Sequence, residues 1–375
     1  MKNYFLKMFL FLYLRNEYGG DFVTNNLPSL KGYTLKELKD YFSLIGEKRF
    51  RGEQIFNWLY RHLIDSYDQM DSVPKVLRAQ LTETTGPINT LKLLSRKSSD
   101  ETGTTKYLFE TLDGYKIESV MIPDINRTTL CLSTQAGCPL DCKFCATGLM
   151  GYKKNLSSGE IFDQYKFVSK DYEQGTIKNI VYMGMGEPLI NYEQTLKSLQ
   201  IFSEDLNSLL RLKRVAVSTA GIAPKIVELA DSGLKVKIAF SLHSCFENTR
   251  SKLMPINDKY SLKDNLHAIR YYTKKTHTRI TFEYVMIDGI NDREEDFSEL
   301  VKLCKSLPCK INVIPFNSLS HMNPIGFSAQ LQPTPKEKIE AFVQGLRDQN
   351  IVVTVRYTQG DDITAACGQL AVMEN

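Results

Sequence analysis

Thr128-Thr-Leu-Cys131-Leu-Ser133-Thr-Gln-Ala-Gly-Cys138-Pro-Leu-Asp-Cys142-Lys-Phe-Cys145 is the stretch on which the fold turns. It opens as a strand, in which period-two alternation sets Leu130 and Leu132 on one face and Cys131 and Ser133 on the other. It then breaks into a loop that gathers three cysteines. If the leucines meet covering helices, Cys131 points the other way, into a barrel interior beside that loop. Downstream the same grammar repeats. Strands are expected at 128–133, 180–183, 214–219, 236–242, 278–287 and 310–315, with amphipathic helices near 158–173, 192–206, 224–232, 262–275, 292–305 and 335–349. Regular strand–helix alternation implies an α/β fold with a parallel sheet and helices outside. Eight such units close a barrel and six make a partial one, so the expectation is a partial (βα)6 barrel. The strand ends carry Gly184-Met-Gly186-Glu187, Ser218-Thr219, Ser241-Leu242-His243, Asp288-Gly289 and Asn317. In barrels the C-terminal strand ends hold the chemistry.

Ahead of the barrel, residues 27–88 read as a small helical domain. Thr34-Leu-Lys-Glu37 has the form of a capping box, and Gln54-Ile-Phe-Asn-Trp-Leu-Tyr60 spaces apolar residues as a helix does. Lys48, Arg49, Arg51 and Arg61 crowd around it, so this domain is a cap on the larger one, an RNA-facing arm, or both. Residues 89–127 read as a short β extension with a turn at Asp113-Gly114, residues 128–356 as the barrel, and residues 357–375 as a C-terminal segment. Residues 1–26 form an N-terminal extension whose apolar run is interrupted by Lys7. That run is shorter than the roughly 20 residues a membrane helix needs. Arg15-Asn-Glu17 follows it, with no small-residue cleavage site. The expectation is an over-extended start or a docked segment on a cytoplasmic protein without a membrane partner.

The chain has 47 basic and 43 acidic residues, a net charge of +4. Overall charge therefore does not call for nucleic acid, and any such binding must rest on local patches such as Lys153-Lys154 or Arg211-Leu-Lys213-Arg214. Eight cysteines in 375 residues do not make a disulfide scaffold. The cluster of three reads instead as a soft-metal site in a reducing compartment.

Thiolates at x3 then x2 spacing suit an iron–sulfur cluster or zinc. Structural zinc closes with four Cys or His ligands, and none of the five histidines lies near this loop. Cys131 is the one nearby candidate for a fourth ligand, but it sits in the strand. Three ligands on a cubane leave one iron open. Cys131 read alone is either functional or a small buried hydrophobe. Cys367, between Ala366 and Gly368, sits in a small-residue segment open to reagents, whereas Cys245, Cys304 and Cys309 read as structural.

The cysteine spacing, with Phe144 before the last cysteine, resembles the radical S-adenosylmethionine (SAM) superfamily signature. Other strings narrow this: Glu118-Ser-Val-Met-Ile-Pro123, Leu130-Cys-Leu-Ser-Thr-Gln-Ala-Gly-Cys138, Met183-Gly-Met-Gly-Glu-Pro188, Phe240-Ser-Leu-His243, Lys252-Leu-Met-Pro-Ile-Asn257, Glu283-Tyr-Val-Met286, Ile314-Pro-Phe-Asn317, Gly360-Asp-Asp362 and Ala366-Cys-Gly-Gln-Leu370. Together they resemble the RlmN family, radical SAM enzymes that methylate C2 of adenine in 23S rRNA and in tRNA at position 37.

The resemblance implies a [4Fe-4S] cluster on Cys138, Cys142 and Cys145, with SAM on the open iron and two SAM molecules per turnover. It implies that Cys367 is an S-methylcysteine intermediate and that Cys131 resolves the RNA adduct through a transient disulfide with it. Glu118 takes the position of the proton acceptor, with Cys131 as its rival; otherwise Glu118 is a surface strand carboxylate. Gly186 and Glu187 are expected at the SAM ammonium, with Ser218, Ser241, Leu242, His243 and Asn317 lining the rest. His243 is otherwise a buried structural histidine. Expected partners are 23S rRNA, tRNA and a low-potential electron donor such as flavodoxin, and the target adenine must leave its stack. Two rivals stand: a Cfr-type relative that methylates adenine C8, against which Ile122-Pro123 and Glu187-Pro188 speak, and an RNA-binding protein with a structural metal.

Overall fold

The computed structural model describes residues 28–124, 128–172, 176–206, 209–356 and 359–372. The expectations for residues 1–26 lie outside them. The chain divides into two compact units, with the boundary between Thr90 and Leu91.

The first unit is helical, with α1 (Leu35–Leu44), α2 (Phe50–Tyr60) and α3 (Lys75–Thr84). Thr34 opens α1: its hydroxyl accepts from the Glu37 N–H at 3.3 Å, and the Glu37 carboxylate accepts from the Thr34 N–H at 2.8 Å. Helical spacing turns Leu38 and Phe42 of α1 and Ile55, Phe56 and Leu59 of α2 into one buried core. Part of the expected cationic surface is engaged within the unit. Arg49 pairs with Asp40 at 3.2 Å and Arg51 with Glu47 at 3.7 Å, whereas Lys48 and Arg61 are exposed.

The second unit begins with antiparallel β1 (Leu91–Ser98), β2 (Thr105–Thr111) and β3 (Lys116–Ile122). β4 (Thr128–Cys131) pairs antiparallel with β3 and parallel with β7 (Ile177–Tyr182). Between them, β5 (Gln135–Gly137) and β6 (Tyr152–Asn155) form a hairpin of their own. The parallel run continues through β8 (Val215–Thr219), β9 (Lys237–Ser241), β10 (Ile280–Met286), β11 (Cys309–Pro315) and β12 (Val353–Val355). Among the described residues the sheet order is β1-β2-β3-β4-β7-β8-β9-β10-β11-β12. The connections carry the helices Ser158–Lys170, Tyr192–Ser203, Ala223–Asp231, Leu262–Thr276, Glu294–Lys305 and Lys336–Asp348.

All six expected parallel strands are present, and the α/β partial barrel stands. The sequence reading did not name β12 or the β5–β6 hairpin, whose strands of three or four residues are too short to show a period, nor the short helices Ala146–Leu149 and Glu247–Leu253. The hairpin clamps the base of the cysteine loop, with the Cys138 N–H donating to the Gly151 carbonyl at 3.1 Å. Gly137 makes this possible: at φ +71° it is left-handed, and a Cβ there would lie 1.8 Å from the Gly151 carbonyl oxygen. Apolar residues such as Ile238, Phe240 and Phe282 are buried, while Ser241, Glu283 and Asn312 stand in register across β9, β10 and β11 as a polar row. No helix among the described residues is long and apolar enough to cross a membrane.

Candidate active site

The loop after β5 carries Cys138, Cys142 and Cys145, each partly buried. It packs on a cluster that includes Leu140, Ala146, Leu253, Met254 and Phe316. Burial, then the neighbouring Cys145 and Glu187, pushes Cys138 up to about 12, and burial with the other two thiols raises Cys142 strongly. Cys145 is also raised by burial, although donors from Gly148 and Thr147 oppose the shift. Three thiols crowded in a dry loop are poor anions alone and good ligands once a cationic centre compensates them. Among the described residues no three His, Cys, Asp or Glu side chains gather tightly enough for a single metal ion.

Gly186 and Glu187 follow β7 and pack on Gln135 of β5, with the Glu187 N–H donating to Gln135 Oε1 at 2.8 Å. Gly186 has φ +98°, and a Cβ there would sit 2.5 Å from Gln135 Cβ and 2.8 Å from its backbone nitrogen, so the loop tolerates only glycine. The buried Glu187 carboxylate accepts from the Leu189 N–H at 3.0 Å and the Ala220 N–H at 2.8 Å. Burial raises its pKa to about 7 against those donors. Its charge is felt by both Cys138 and Cys142, so Glu187 lies beside the cysteine loop and ties β8 to it.

Ser218 and Ser241 are half-buried near the C-terminal ends of β8 and β9. Leu242 is fully buried and donates its N–H to the Glu283 carbonyl at 3.0 Å. His243 sits in left-handed backbone at φ 53°. Its Nδ1 accepts from the Val285 N–H at 3.0 Å, which leaves the proton on Nε2. Its ring stands edge-on to Phe144 of the cysteine loop, with centroids 4.6 Å apart. Burial, then Arg250, depresses its pKa to about 3. His243 is therefore a neutral ring bracing the loop. Asn317, half-buried after β11, donates to the Cys367 carbonyl at 3.1 Å.

The second pair of cysteines comes within electrostatic reach here. Cys131 lies in β4 opposite Val120 of β3, so Glu118, two residues earlier on β3, shares their face of the sheet. Burial, then the proximity of Cys367, raises the Cys131 thiol to about 12, while a donor from Met183 and the charge of Arg356 oppose this. Cys367 is exposed by surface area, yet the protein packed around it desolvates the thiol and raises it; Arg356 lowers it, and Glu283 and Cys145 raise it again. The segment bearing Cys367 is laced onto the cluster loop: the Ala146 N–H donates to the Gly368 carbonyl at 2.7 Å, and the Thr147 hydroxyl to the Leu370 carbonyl at 2.6 Å. Glu118 is buried, which corrects the surface-carboxylate alternative. It is ion-paired to Lys106 at 3.0 Å and accepts from the Ala371 N–H at 3.1 Å. Burial raises its pKa more than Lys106 lowers it.

Residues 132–303 match the Radical SAM superfamily, and residues 28–86 match the ribosomal RNA large subunit methyltransferase N-terminal domain. The dual-specificity RNA methyltransferase RlmN of Alcanivorax borkumensis is 40% identical over 354 residues, covering 91% of this chain and 90% of that protein. A probable RlmN of Thermotoga neapolitana is 42% identical over 345 residues, covering 92% and 97%. The chain belongs to the RlmN family of radical SAM RNA methyltransferases. The crystal structure of a radical SAM methyltransferase from Sphaerobacter thermophilus superposes with a TM-score of 0.84 at 41% identity, over 92% of this chain and 99% of that one.

In this RlmN-family enzyme the sequence reading passed over three charged residues. Arg356 faces both Cys131 and Cys367, Lys106 partners Glu118, and Arg250 is a fully buried guanidinium that donates to Asn257 Oδ1 and to the Ala220 and Ser241 carbonyls. Only Arg356 left a signal: a lone cation ending the β-branched run Ile351-Val-Val-Thr-Val355. The two patches named for RNA lie in different settings. Lys154 is engaged by Asp113 at 2.9 Å and Glu160 at 3.0 Å. Lys213 and Arg214 precede β8 and so stand at the N-terminal end of the barrel strands, opposite the cysteines.

Proposed function

We propose that this RlmN-family enzyme methylates C2 of adenine in 23S rRNA and in tRNA at position 37, using an S-methylcysteine on Cys367 and two SAM molecules per turnover. The observation that carries this reading is that the segment bearing Cys367 is hydrogen-bonded onto the cysteine loop, with Cys131 within electrostatic reach of Cys367. Adenine C2 is an aromatic carbon with no useful nucleophilicity, so polar transfer from SAM does not reach it. Cys138, Cys142 and Cys145 would hold a [4Fe-4S] cluster that, with SAM on its open iron, supplies a 5′-deoxyadenosyl radical. Gly186, Glu187, Ser218, Ser241, Leu242, His243 and Asn317 are the residues assigned to hold and orient SAM.

The protein's own groups perform the remaining steps. The Cys367 thiolate takes the methyl of one SAM, forming a C–S bond as the sulfonium bond breaks. After hydrogen abstraction from that S-methyl, its carbon bonds to C2. C2 gives up its proton to Glu118 or Cys131, and the one electron the adduct must lose would return to the cluster held by Cys138, Cys142 and Cys145, which had given up one electron for SAM cleavage. Cys131 then attacks the Cys367 sulfur; an S–S bond forms, the C–S bond breaks and the freed carbon takes up a proton as product methyl. Lys106 keeps a buried Glu118 ionisable, which a proton acceptor requires. Mass spectrometry of RNA nucleosides after anaerobic reaction tests the reading: 2-methyladenosine is expected, whereas 8-methyladenosine, or no methylated adenosine, contradicts it.

A further inference from the structure

The segment that carries Cys367 is fastened at both flanks to one ion pair. Lys106 of β2 and Glu118 of β3 stand one row apart on the same face of the sheet, where Lys106 pairs with Val120 and Val120 with Cys131 of β4. Their side chains meet at 3.0 Å and are largely out of water. The Glu118 carboxylate divides its oxygens: Oε1 takes the Lys106 ammonium, and Oε2 accepts from the Ala371 N–H at 3.1 Å. The ammonium also reaches Thr364, donating to its Oγ1 at 3.0 Å and to its carbonyl at 3.3 Å. Thr364 lies three residues before Cys367 and Ala371 four residues after it, so the pair grips the segment on either side of the cysteine. Thr364 is β-branched and sits in left-handed backbone at φ 51°, a conformation such a residue holds only where its neighbours impose it.

We propose that Lys106 is a positioning residue and that its pair with Glu118 is a clasp on the Cys367 segment, closed while Glu118 is a carboxylate and loosened when Glu118 takes up the C2 proton. This inference rests on the reading in which Glu118, rather than Cys131, accepts that proton. The proton converts the carboxylate to a neutral carboxylic acid. Charge-assisted hydrogen bonds are roughly twice as strong as neutral ones, so the tie to Ala371 weakens, and Lys106 keeps only the neutral oxygens of Thr364. The ties from Ala146 and Thr147 to Gly368 and Leu370 involve neither residue. The segment therefore stays on the cysteine loop while its flanks gain freedom. That freedom arrives after carbon has bonded to C2 and before Cys131 attacks the Cys367 sulfur, which is when the sulfur has to move. Cys131 on β4, Lys97 on β1, Glu110 on β2 and Lys116 on β3 share the face of Glu118. Asp361 and Asp362 lie on the segment itself, where Gln369 Nε2 donates to Asp361 at 2.7 Å.

Hydrogen–deuterium exchange of the full-length holoenzyme, resolved to single amides by fragmentation, reads the clasp without RNA. Glu118→Gln copies the protonated carboxyl and leaves an oxygen for Ala371, whereas Lys106→Met removes the cation. A single clasp requires each variant to loosen the tie that it does not itself touch. Glu118→Gln is expected to speed exchange at Ala365 and Ala366, whose N–H groups are bonded to the Gly360 carbonyl and to Gln369 Oε1. Lys106→Met is expected to speed exchange at Ala371. Each acceleration is about tenfold, the scale of one hydrogen bond to a charged group. Lys106→Arg, which keeps the charge, is expected to stay near wild type, and the amides of β10 to be unmoved. Unchanged Ala365 and Ala366 in Glu118→Gln, or unchanged Ala371 in Lys106→Met, overturns the proposal, as does acceleration spread evenly over β10 in both. Either variant is decisive alone, so one that fails to fold leaves the other. The RNA reading fails separately: wild-type enzyme that forms 2-methyladenosine without these cross-effects defeats the clasp alone. Cross-effects together with a wild-type methylation rate in Glu118→Gln uphold the tie and defeat Glu118 as proton acceptor, and with it the proton's part in opening the clasp.

Discussion

Cys131, in the first parallel strand, and Cys367, beyond the last, lie within electrostatic reach of one another, and the guanidinium of Arg356 lies within reach of both. Their meeting depends on the path of the C-terminal segment. That path is pinned by Lys106 Nζ donating to Thr364 Oγ1 at 3.0 Å, by the Ala371 N–H on Glu118, and by Thr147 and Ala146 on Leu370 and Gly368.

The cluster loop can be perturbed without touching this pair. Cys138→Ala, Cys142→Ala and Cys145→Ala are each expected to lose iron, sulfide, the brown chromophore and SAM cleavage. One zinc per chain with no sulfide in the anaerobically purified wild type would instead favour a structural metal site.

Cys367→Ala is expected to keep the cluster, because Cys367 is not one of its assigned ligands, yet to lose RNA methylation. Near-normal turnover in this variant would remove Cys367 from the mechanism.

Lys106 separates the two candidates for proton acceptor. It opposes the burial that raises the Glu118 pKa, so Lys106→Met is expected to raise that pKa further. If Glu118 takes the C2 proton, it must be ionised, and the acid limb of the pH–rate profile moves to higher pH. An unmoved acid limb with retained activity assigns the step to Cys131.

His243 makes a prediction about stability. Its pKa falls from 6.5 in the unfolded chain to about 3 in the fold. Between those values the unfolded chain binds the extra proton, so the contribution is present above pH 6.5 and is lost as pH falls below it, by about 1.4 kcal/mol for each pH unit. In urea unfolding of metal-free protein at pH 7 and pH 5, His243→Asn is expected to lose less stability on acidification than wild type. Equal losses would mean that His243 is not buried neutral.

Much of this was legible in the residues themselves. Cys138, Cys142 and Cys145 announce a soft-metal loop by spacing, and the six longer parallel strands by alternation with helices. Cys131 and Cys367 are 236 residues apart in the sequence, and nothing local in either says that they meet; that pairing came from the family resemblance alone. The Arg356 contact was invisible for a related reason. It depends on β12, a three-residue strand paired with β11 at the edge of the sheet. Glu118 reads from sequence as an ordinary strand carboxylate, because its burial is imposed by the C-terminal segment that covers it. His243 shows its polar strand-end position but not that its ring is turned onto Phe144.

The central claim is that two cysteines share one methyl transfer, and Cys131→Ala tests it most directly. If Cys131 only fills space, the substitution costs a small side chain of packing, roughly 1 kcal/mol, and turnover continues. If Cys131 resolves the adduct, carbon still bonds to C2 but release fails. After anaerobic reaction, a denaturing gel is expected to show a slow-migrating, nuclease-sensitive protein–RNA species, with the crosslink mapped by mass spectrometry to Cys367. Free protein alongside normally methylated RNA would contradict the account.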